Sequence, residues 1–388
     1  MRKQNKKNIY LLGSSSMFND MGSEMISPIL PFFISSLGGG GVTMGLISGL
    51  REGLSSLLKL FGGWFSDKIG KRKEIVFIGY MLSIILKFFI GFAQTTTQII
   101  TAVSLERVGK IRDPPRDAII ARMKGKHANT FGLHQTFDSL GGALGTIIVI
   151  LIFWLLHWNF RTIVFAAAFI TMFSLIPLFF VKDVKSYPLK ATLLQGVSKL
   201  DRKLKRAIYL IALFAFANFG LYMFILVTAK NISGNEIIPL VLYAIFNLVY
   251  ALSANPIGKV ADKFGKRLTL ICGYLLFALV CLGFAYFNSL IAITILFILY
   301  GFVSAMTEPV QKAVVADLAG KEKGTAMGYF YFIRGLSAIF GGLIAGFIWD
   351  LNNSAMFIYL AVLGIISMTS LYVVRKAEKK IENQKKRK

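Results

Sequence analysis

Two carboxylates stand four residues apart in an otherwise apolar run, Asp20 and Glu24 in SMFNDMGSEMISPILP. On a helix that spacing puts both on one face. Each makes the other's ionisation costlier, and burial adds to the cost. One of them can then bind and release a proton near neutral pH. The plainer alternative is that each pairs permanently with an arginine and only fixes helix packing. A second stretch, Leu105–Ala121, carries Glu106, Arg107, Lys110, Arg112, Asp113, Arg116 and Asp117, with the adjacent prolines Pro114 and Pro115. The chemistry open to such a set is proton exchange and the making and breaking of ion pairs. A proton on one carboxylate frees one cation for an anionic group or for another carboxylate. No nucleophile–base pairing and no phosphate-binding loop of the GxxxxGKS type accompanies them. His127, His134 and His157 lack ligand spacing, so no metal and no cofactor is expected, and the chain does not read as an enzyme.

The elements that must position these groups are membrane helices. The chain of 388 residues is 55% hydrophobic and only 16% charged, where soluble domains carry about 25% charged residues. Counting apolar runs of membrane length gives about twelve spans. A charge near the bilayer centre costs about 2.5–3.5 kcal/mol even on a lenient scale, so the interior charges must be compensated. The formal net charge of +25 invites a nucleic-acid reading, but the basic residues sit in short clusters between apolar runs. That is the pattern of loops facing the cytosol and anionic lipid. Alternate connections are basic, as at Lys68–Lys73 and Lys259–Arg267, and the others are nearly free of charge. Both termini are therefore expected in the cytoplasm. Cys272 and Cys281 fall in one apolar segment, and no disulfide framework is expected.

The chain repeats itself. GGWFSDKIGKRK at 62–73 matches NPIGKVADKFGKR at 255–267, and 129–145 lines up with 325–341. Asp138 then corresponds to Arg334, Arg112 to Glu308, and Arg116 to Lys312. The expected plan is an all-α protein of two pseudo-symmetric six-helix bundles, 1–181 and 206–388. A cytoplasmic linker at 182–205 joins them, and Leu193, Leu194, Val197, Leu200 and Leu204 give it an amphipathic spacing. In the first bundle, seven intramembrane cations (Arg51, Lys59, Lys87, Arg107, Lys110, Arg112, Arg116) match seven carboxylates (Asp20, Glu24, Glu52, Glu106, Asp113, Asp117, Asp138). Within Leu105–Ala121 the like charges fall at i,i+4. Partners are therefore expected from other helices, in Asp20, Glu24, Glu52 and Asp138. Small-xxx-small steps at Gly45–Gly53, Gly141–Gly145 and Gly342–Gly346 are expected to form sliding contacts between the bundles. Phe214, Phe216, Phe219, Tyr222 and Phe224 in the seventh span, and Tyr329, Phe330, Tyr331 and Phe332 in the eleventh, are candidates for a cavity wall, with lipid-facing or packing roles the plainer expectation for most of them.

Gly63-x3-Asp67-Lys68-x-Gly70-Lys71-Arg72 and Gly258-x3-Asp262-Lys263-x-Gly265-Lys266-Arg267 resemble the loop signature of the major facilitator superfamily. In that family it lies between helices 2 and 3 and again between helices 8 and 9. The resemblance implies a twelve-helix transporter. It also implies a latch in which Asp67 meets a helix N-terminus and Arg116, with Asp262 and Lys312 as their repeat partners. The latch would hold the outward-facing state. Arg107 is similar to a buried family arginine tied to proton coupling. The RVGKIRDPPRD sequence departs from the usual drug-antiporter pattern, and no subfamily follows.

The expected function is secondary active transport by alternating access, with proton-coupled export of a small organic solute by an antiporter. The runner-up is a passive uniporter or lipid-moving protein of the same fold. Candidate substrate and coupling residues are Asp20, Glu24, Arg107, Arg112, Asp113, Asp138, Glu308 and Arg334. Expected partners are the solute, protons and the bilayer of a cell membrane, with no nucleic acid and a monomeric chain.

Overall fold

The structure is a computed structural model, and it describes residues 2–69, 71–121, 127–182, 200–319 and 323–387. Among them every regular element is helical, as a bilayer demands of backbone that must satisfy its own polar groups. The helices are α1 (Arg2–Ile26), α2 (Leu30–Ser36), α3 (Gly41–Ile69), α4 (Arg72–Phe92), α5 (Thr96–Glu106), α6 (Asp113–Ala121), α7 (His127–Leu151) and α8 (Phe160–Met172). They continue as α9 (Leu175–Phe179), α10 (Arg202–Ala217), α11 (Tyr222–Ser233), α12 (Ile237–Phe264), α13 (Lys266–Tyr286), α14 (Leu290–Leu318), α15 (Lys323–Leu351) and α16 (Asn353–Arg387).

Among the described residues, nine helical stretches are long and apolar enough to cross a membrane. Three more stretches of similar length lie beside them: α1 with α2, α3, and α5 with α6. These carry the interior charges, which is why hydropathy alone passes them over. With them the helices accord with the twelve passes read from the sequence. The outer surface is apolar, with Phe92, Phe179, Leu252 and Ile291 among its exposed side chains, as a lipid-facing surface requires.

Besides the turn at 173–174 between α8 and α9, three spans are interrupted near the interior charges. Pro28 and Pro31 leave the Glu24 and Ser27 carbonyls without helical donors, and a turn at 27–29 separates α1 from α2. Pro114 and Pro115 likewise withhold donors from the carbonyls of Lys110 and Ile111. The chain tightens into a 3-10 segment at Arg107–Arg112, where the Asp113 N–H bonds the Lys110 carbonyl. The helix restarts as α6 with both prolines in its first turn, where the missing N–H groups cost nothing. Between α10 and α11 the backbone leaves the helix at Asn218, and Gly220 adopts φ +114°.

The longest packing contact runs antiparallel between α3 and α15. Gly45 lies against the Gly342 carbonyl, and Gly53 lies against Gly335. A Cβ at either Gly45 or Gly342 would collide with backbone, so glycine is required for this approach. One end of the seam, the far end, is closed by Asp350. Its carboxylate accepts from the Gly41 N–H at 2.5 Å and from the Val42 N–H at 2.9 Å. It thereby caps the α3 N-terminus and meets its positive dipole. Gly141 and Gly145 do not join this seam. They pack on Met17 and Met21 of the parallel helix α1, so they hold the first bundle together.

The opposite, near end carries the repeated signature. Gly63 and Asp67 fall in the last turns of α3, where the side chains are not described, and Gly70 lies outside the described residues, as do Leu193, Leu194 and Val197 of the linker. Leu200 and Leu204 are described, and both are buried on Ile208, Ile211 and Phe330. Lys71 pairs with Glu74 at 3.0 Å, and Arg72 is buried. In the second copy, Gly265 takes φ +108° at the turn between α12 and α13, and Gly258 faces open space. The pair of Asp262 with Lys312 does not form. Lys266 binds Asp262 at 3.3 Å and Asp317 at 2.7 Å, and Lys312 is exposed. Lys266 opens α13 within reach of both carboxylates, one turn from Asp262, and so takes the place given to Lys312.

Gly45→Val should force α3 and α15 apart and cost about 1–3 kcal/mol, the usual penalty of overpacking. Thermal melting of the purified protein would show this as a drop of several degrees, and an unchanged melting temperature would contradict the seam.

Candidate substrate and coupling site

The three helix breaks meet at one cavity of about 320 Å³. The break of the first span supplies Glu24 and Ser27, and the 3-10 segment supplies Arg107 and Lys110. The break before α11 supplies Phe219, Gly220 and Tyr222. One face of α3 adds Ser48, Arg51, Glu52, Ser55 and Lys59, and α12 adds Tyr243. Irregular backbone at membrane depth is tolerated where it lines a water-filled cavity, and this cavity is where all three interruptions converge. Its volume suits a small solute.

Contacts across the cavity tie early residues to late ones. The Tyr243 hydroxyl donates to Glu24 at 3.1 Å. Arg51 donates to the Tyr222 oxygen at 2.6 Å and to the Ser27 hydroxyl at 3.1 Å. Arg334 pairs with Glu52 at 3.2 Å, and Lys59 lies 5.9 Å over the Tyr331 ring. Arg334 therefore meets Glu52, not its repeat counterpart Asp138.

Behind the wall lies a dry charge cluster. Glu106 pairs with Arg107 at 2.9 Å and lies 4.0 Å from Lys87, and the Ser83 hydroxyl donates to it at 2.7 Å. Lys87 and Glu106 are only 1% and 3% exposed. Asp113 is shared by Lys59 at 3.7 Å, Arg116 at 3.7 Å and Arg112 at 3.8 Å. Arg116 also binds Asp117 at 3.1 Å and the Ser16 hydroxyl. Asp20, Glu24, Glu52 and Asp138 were the expected partners of this stretch, and among the described residues none forms an ion pair with it; Glu52 pairs with Arg334 instead. Arg107, Arg112 and Arg116 pair within their own segment, and Lys59 and Lys87 approach the same carboxylates from other helices.

Arg112 is the clearest departure from the sequence reading. It was placed in the substrate path but is 1% exposed, with its guanidinium 4.4 Å over the Tyr80 ring. It donates to the Gly109 carbonyl at 2.8 Å. Asp20 shares a face with Glu24 and accepts from Asn19 at 3.0 Å, but it does not line the cavity. Asp138 meets His134 at 3.3 Å, and Glu308 accepts from Tyr250 at 3.1 Å; neither reaches the cavity. Glu24 and Arg107 do. Lys110, Arg51 and Glu52 were counted as interior charges but not chosen as site residues, and Tyr243 carried no signal beyond being aromatic.

Comparison with known proteins agrees with this architecture. The sequence model described as Major Facilitator Superfamily matches residues 12–234 and 208–388. The chain belongs to the major facilitator superfamily. It is a multi-pass membrane transporter, not an enzyme, and its substrate is a small molecule. An uncharacterised MFS-type transporter of Methanocaldococcus jannaschii is 41% identical over 371 residues, 93% of each chain. The multidrug resistance protein MdtH of Sodalis glossinidius is 22% identical over 377 residues, covering 94% of this chain and 92% of that one. Among solved structures, a mutant form of the nucleoside transporter NupG superposes with a TM-score of 0.83. It is 12% identical, over 94% of this chain and 99% of the other. At that identity the likeness is one of fold.

Glu106→Gln would leave Lys87 and Arg107 buried without their counter-charge, a loss of about 3–5 kcal/mol. We expect a markedly lower melting temperature in detergent, partly restored when Lys87→Met is added. A wild-type melting temperature in the single variant would contradict the cluster.

Proposed function

We propose that this transporter couples protons to the export of a small organic solute by alternating access, with residues 1–181 and 206–388 as the two moving bodies and 182–205 as their cytoplasmic link. The observation that carries the reading is the hydrogen bond from Tyr243 to Glu24 across the cavity. A titratable carboxylate that lines the cavity also bridges the two bodies, so its protonation and their relative position are linked. Ionised Glu24 accepts the tyrosine proton and favours the approach of α12. Protonated Glu24 is a poorer acceptor and frees Tyr243. Asp20, on the same face of α1, is the second proton carrier.

The basic loops support a cytoplasmic near end. The Asp350 cap and the glycine seam close the far end, and Lys312 stands apart from Asp262 at the near end. Together these support an inward-facing arrangement. Closing the near end and opening the far end would break Tyr243–Glu24 and Arg51–Tyr222 together. Export is supported by the multidrug resistance proteins among the relatives. The cavity is complete within one chain, which supports a working monomer.

The test uses purified protein in liposomes with a trapped pH-sensitive dye and a panel of organic solutes. Solute-dependent proton flux is expected in the wild type. Glu24→Gln should lower it tenfold or more, and Asp20→Asn should lower it to a lesser degree. Solute flux that ignores an imposed pH gradient, and survives both substitutions, would identify a passive uniporter instead.

A further inference from the structure

We infer that the transported solute carries an anionic group, held by Arg51 and Lys110 beside the N-terminus of α11. This rests on the transporter reading of the same cavity and adds the charge of its cargo.

The wall of the cavity holds the cations Arg51, Lys59, Arg107 and Lys110 against the carboxylates Glu24 and Glu52. Several have a carboxylate or cation close by, though Asp113 and Glu106 each serve more than one cation. Lys59 has Asp113 at 3.7 Å, Arg107 has Glu106 at 2.9 Å, and Glu52 has Arg334 at 3.2 Å. Arg51, Lys110 and Glu24 remain. Arg51 is held by neutral oxygens of Tyr222 and Ser27. Those bonds aim the guanidinium without neutralising it. Lys110 makes no ion pair within 4.0 Å among the described residues, and Asp113, which attracts it from farther off, is already shared by Lys59, Arg112 and Arg116. Glu24 binds a hydroxyl, not a cation. The wall thus offers two unmatched cations to one carboxylate. Protonation of Glu24 would widen that excess.

The interrupted seventh span points the same way independently. α11 starts inside the cavity wall, at Tyr222, after the non-helical residues Asn218–Leu221. The first N–H groups of a helix lack intrahelical acceptors and carry a partial positive charge. Half-helices that begin near mid-membrane favour anionic substrate groups in this way. Gly220, at φ +114°, lets the chain leave α10 and enter α11 while Ser48 packs against it. Two unmatched cations and a helix N-terminus therefore face one space. A cationic solute would have to displace water beside all three. Outward movement of an anion also runs with the electrical gradient of a cell that is negative inside, in accord with export.

The experiment compares charge at constant shape. Purified protein is challenged, at fixed ionic strength, with a panel of aryl carboxylates and sulfonates, their neutral amides, and the matching aryl trimethylammonium ions. Thermal shift and tryptophan fluorescence report binding. Anionic members are expected to bind at least tenfold more tightly than their neutral and cationic partners. Lys110→Gln and Arg51→Gln should each weaken that binding tenfold or more, whereas Lys110→Arg and the distant exposed Lys376→Gln should retain it. The melting temperature without ligand shows whether each variant is folded. Preference for the neutral or cationic members, no binding by any anionic member, or anion binding unchanged in both glutamine variants would overturn the inference. The dye-filled liposomes keep it separate from the coupling proposal. Anion binding without proton flux rejects coupling alone, and proton-linked flux of the trimethylammonium ions rejects the anionic cargo alone.

Discussion

The hydrogen bond from Arg112 to the Gly109 carbonyl holds together a segment that the bilayer would otherwise exclude. Pro114 and Pro115 break the helix, and a broken helix in hydrocarbon leaves carbonyls without donors. The Asp113 N–H turns to the Lys110 carbonyl, and the Arg112 side chain takes the Gly109 carbonyl left behind. Stacking on Tyr80 and proximity to Asp113 settle the charge of the same guanidinium. One side chain thus answers the two costs of the interruption, an orphaned acceptor and a buried charge. With that secured, Arg107 and Lys110 can stand at the cavity wall.

The same trade recurs in the first and seventh spans. Each gives up helical hydrogen bonds near mid-membrane, and each opening faces the one cavity. Intact helices do the opposite work. α3 and α15 approach through glycine, closely enough that backbone meets backbone. Interrupted helices turn their broken backbone toward the cavity, and the unbroken α3 both lines that cavity with one face and meets α15 through glycine with another.

The fold was readable because it rests on coarse signals: apolar runs of membrane length, basic loops on alternate sides, and a signature repeated at half the chain. Glu24 was readable for the same reason, being a carboxylate with no business in an apolar helix. Arg112 was not readable because residue type and segment alone do not say which of several clustered cations faces the cavity. Arg107 and Lys110, three residues apart in the 3-10 segment, share a face at about 120° per residue. Arg112 stands off that face, toward α4. The prolines announced a break, but not its pitch. Tyr243 could not have been singled out, since its role depends on where α12 lies relative to α1, a contact 219 residues apart.

The charge cluster also bears on how the chain enters the membrane. Among the described residues, the polar and cation–π partners that other helices supply to the 3-10 segment and α6 precede them in sequence: Ser16, Lys59, Gly79 and Tyr80. Ser83 and Lys87, which meet the adjoining Glu106, do so as well. A segment too charged to partition into lipid by its own hydropathy thus leaves the ribosome after all the groups that neutralise it. It can be taken into the bilayer against helices already made. The bonds across the cavity, by contrast, join Glu24, Arg51 and Glu52 to residues synthesised much later. Biosynthetic order thus separates the pairs within the first bundle from those that, in the proposed cycle, would break.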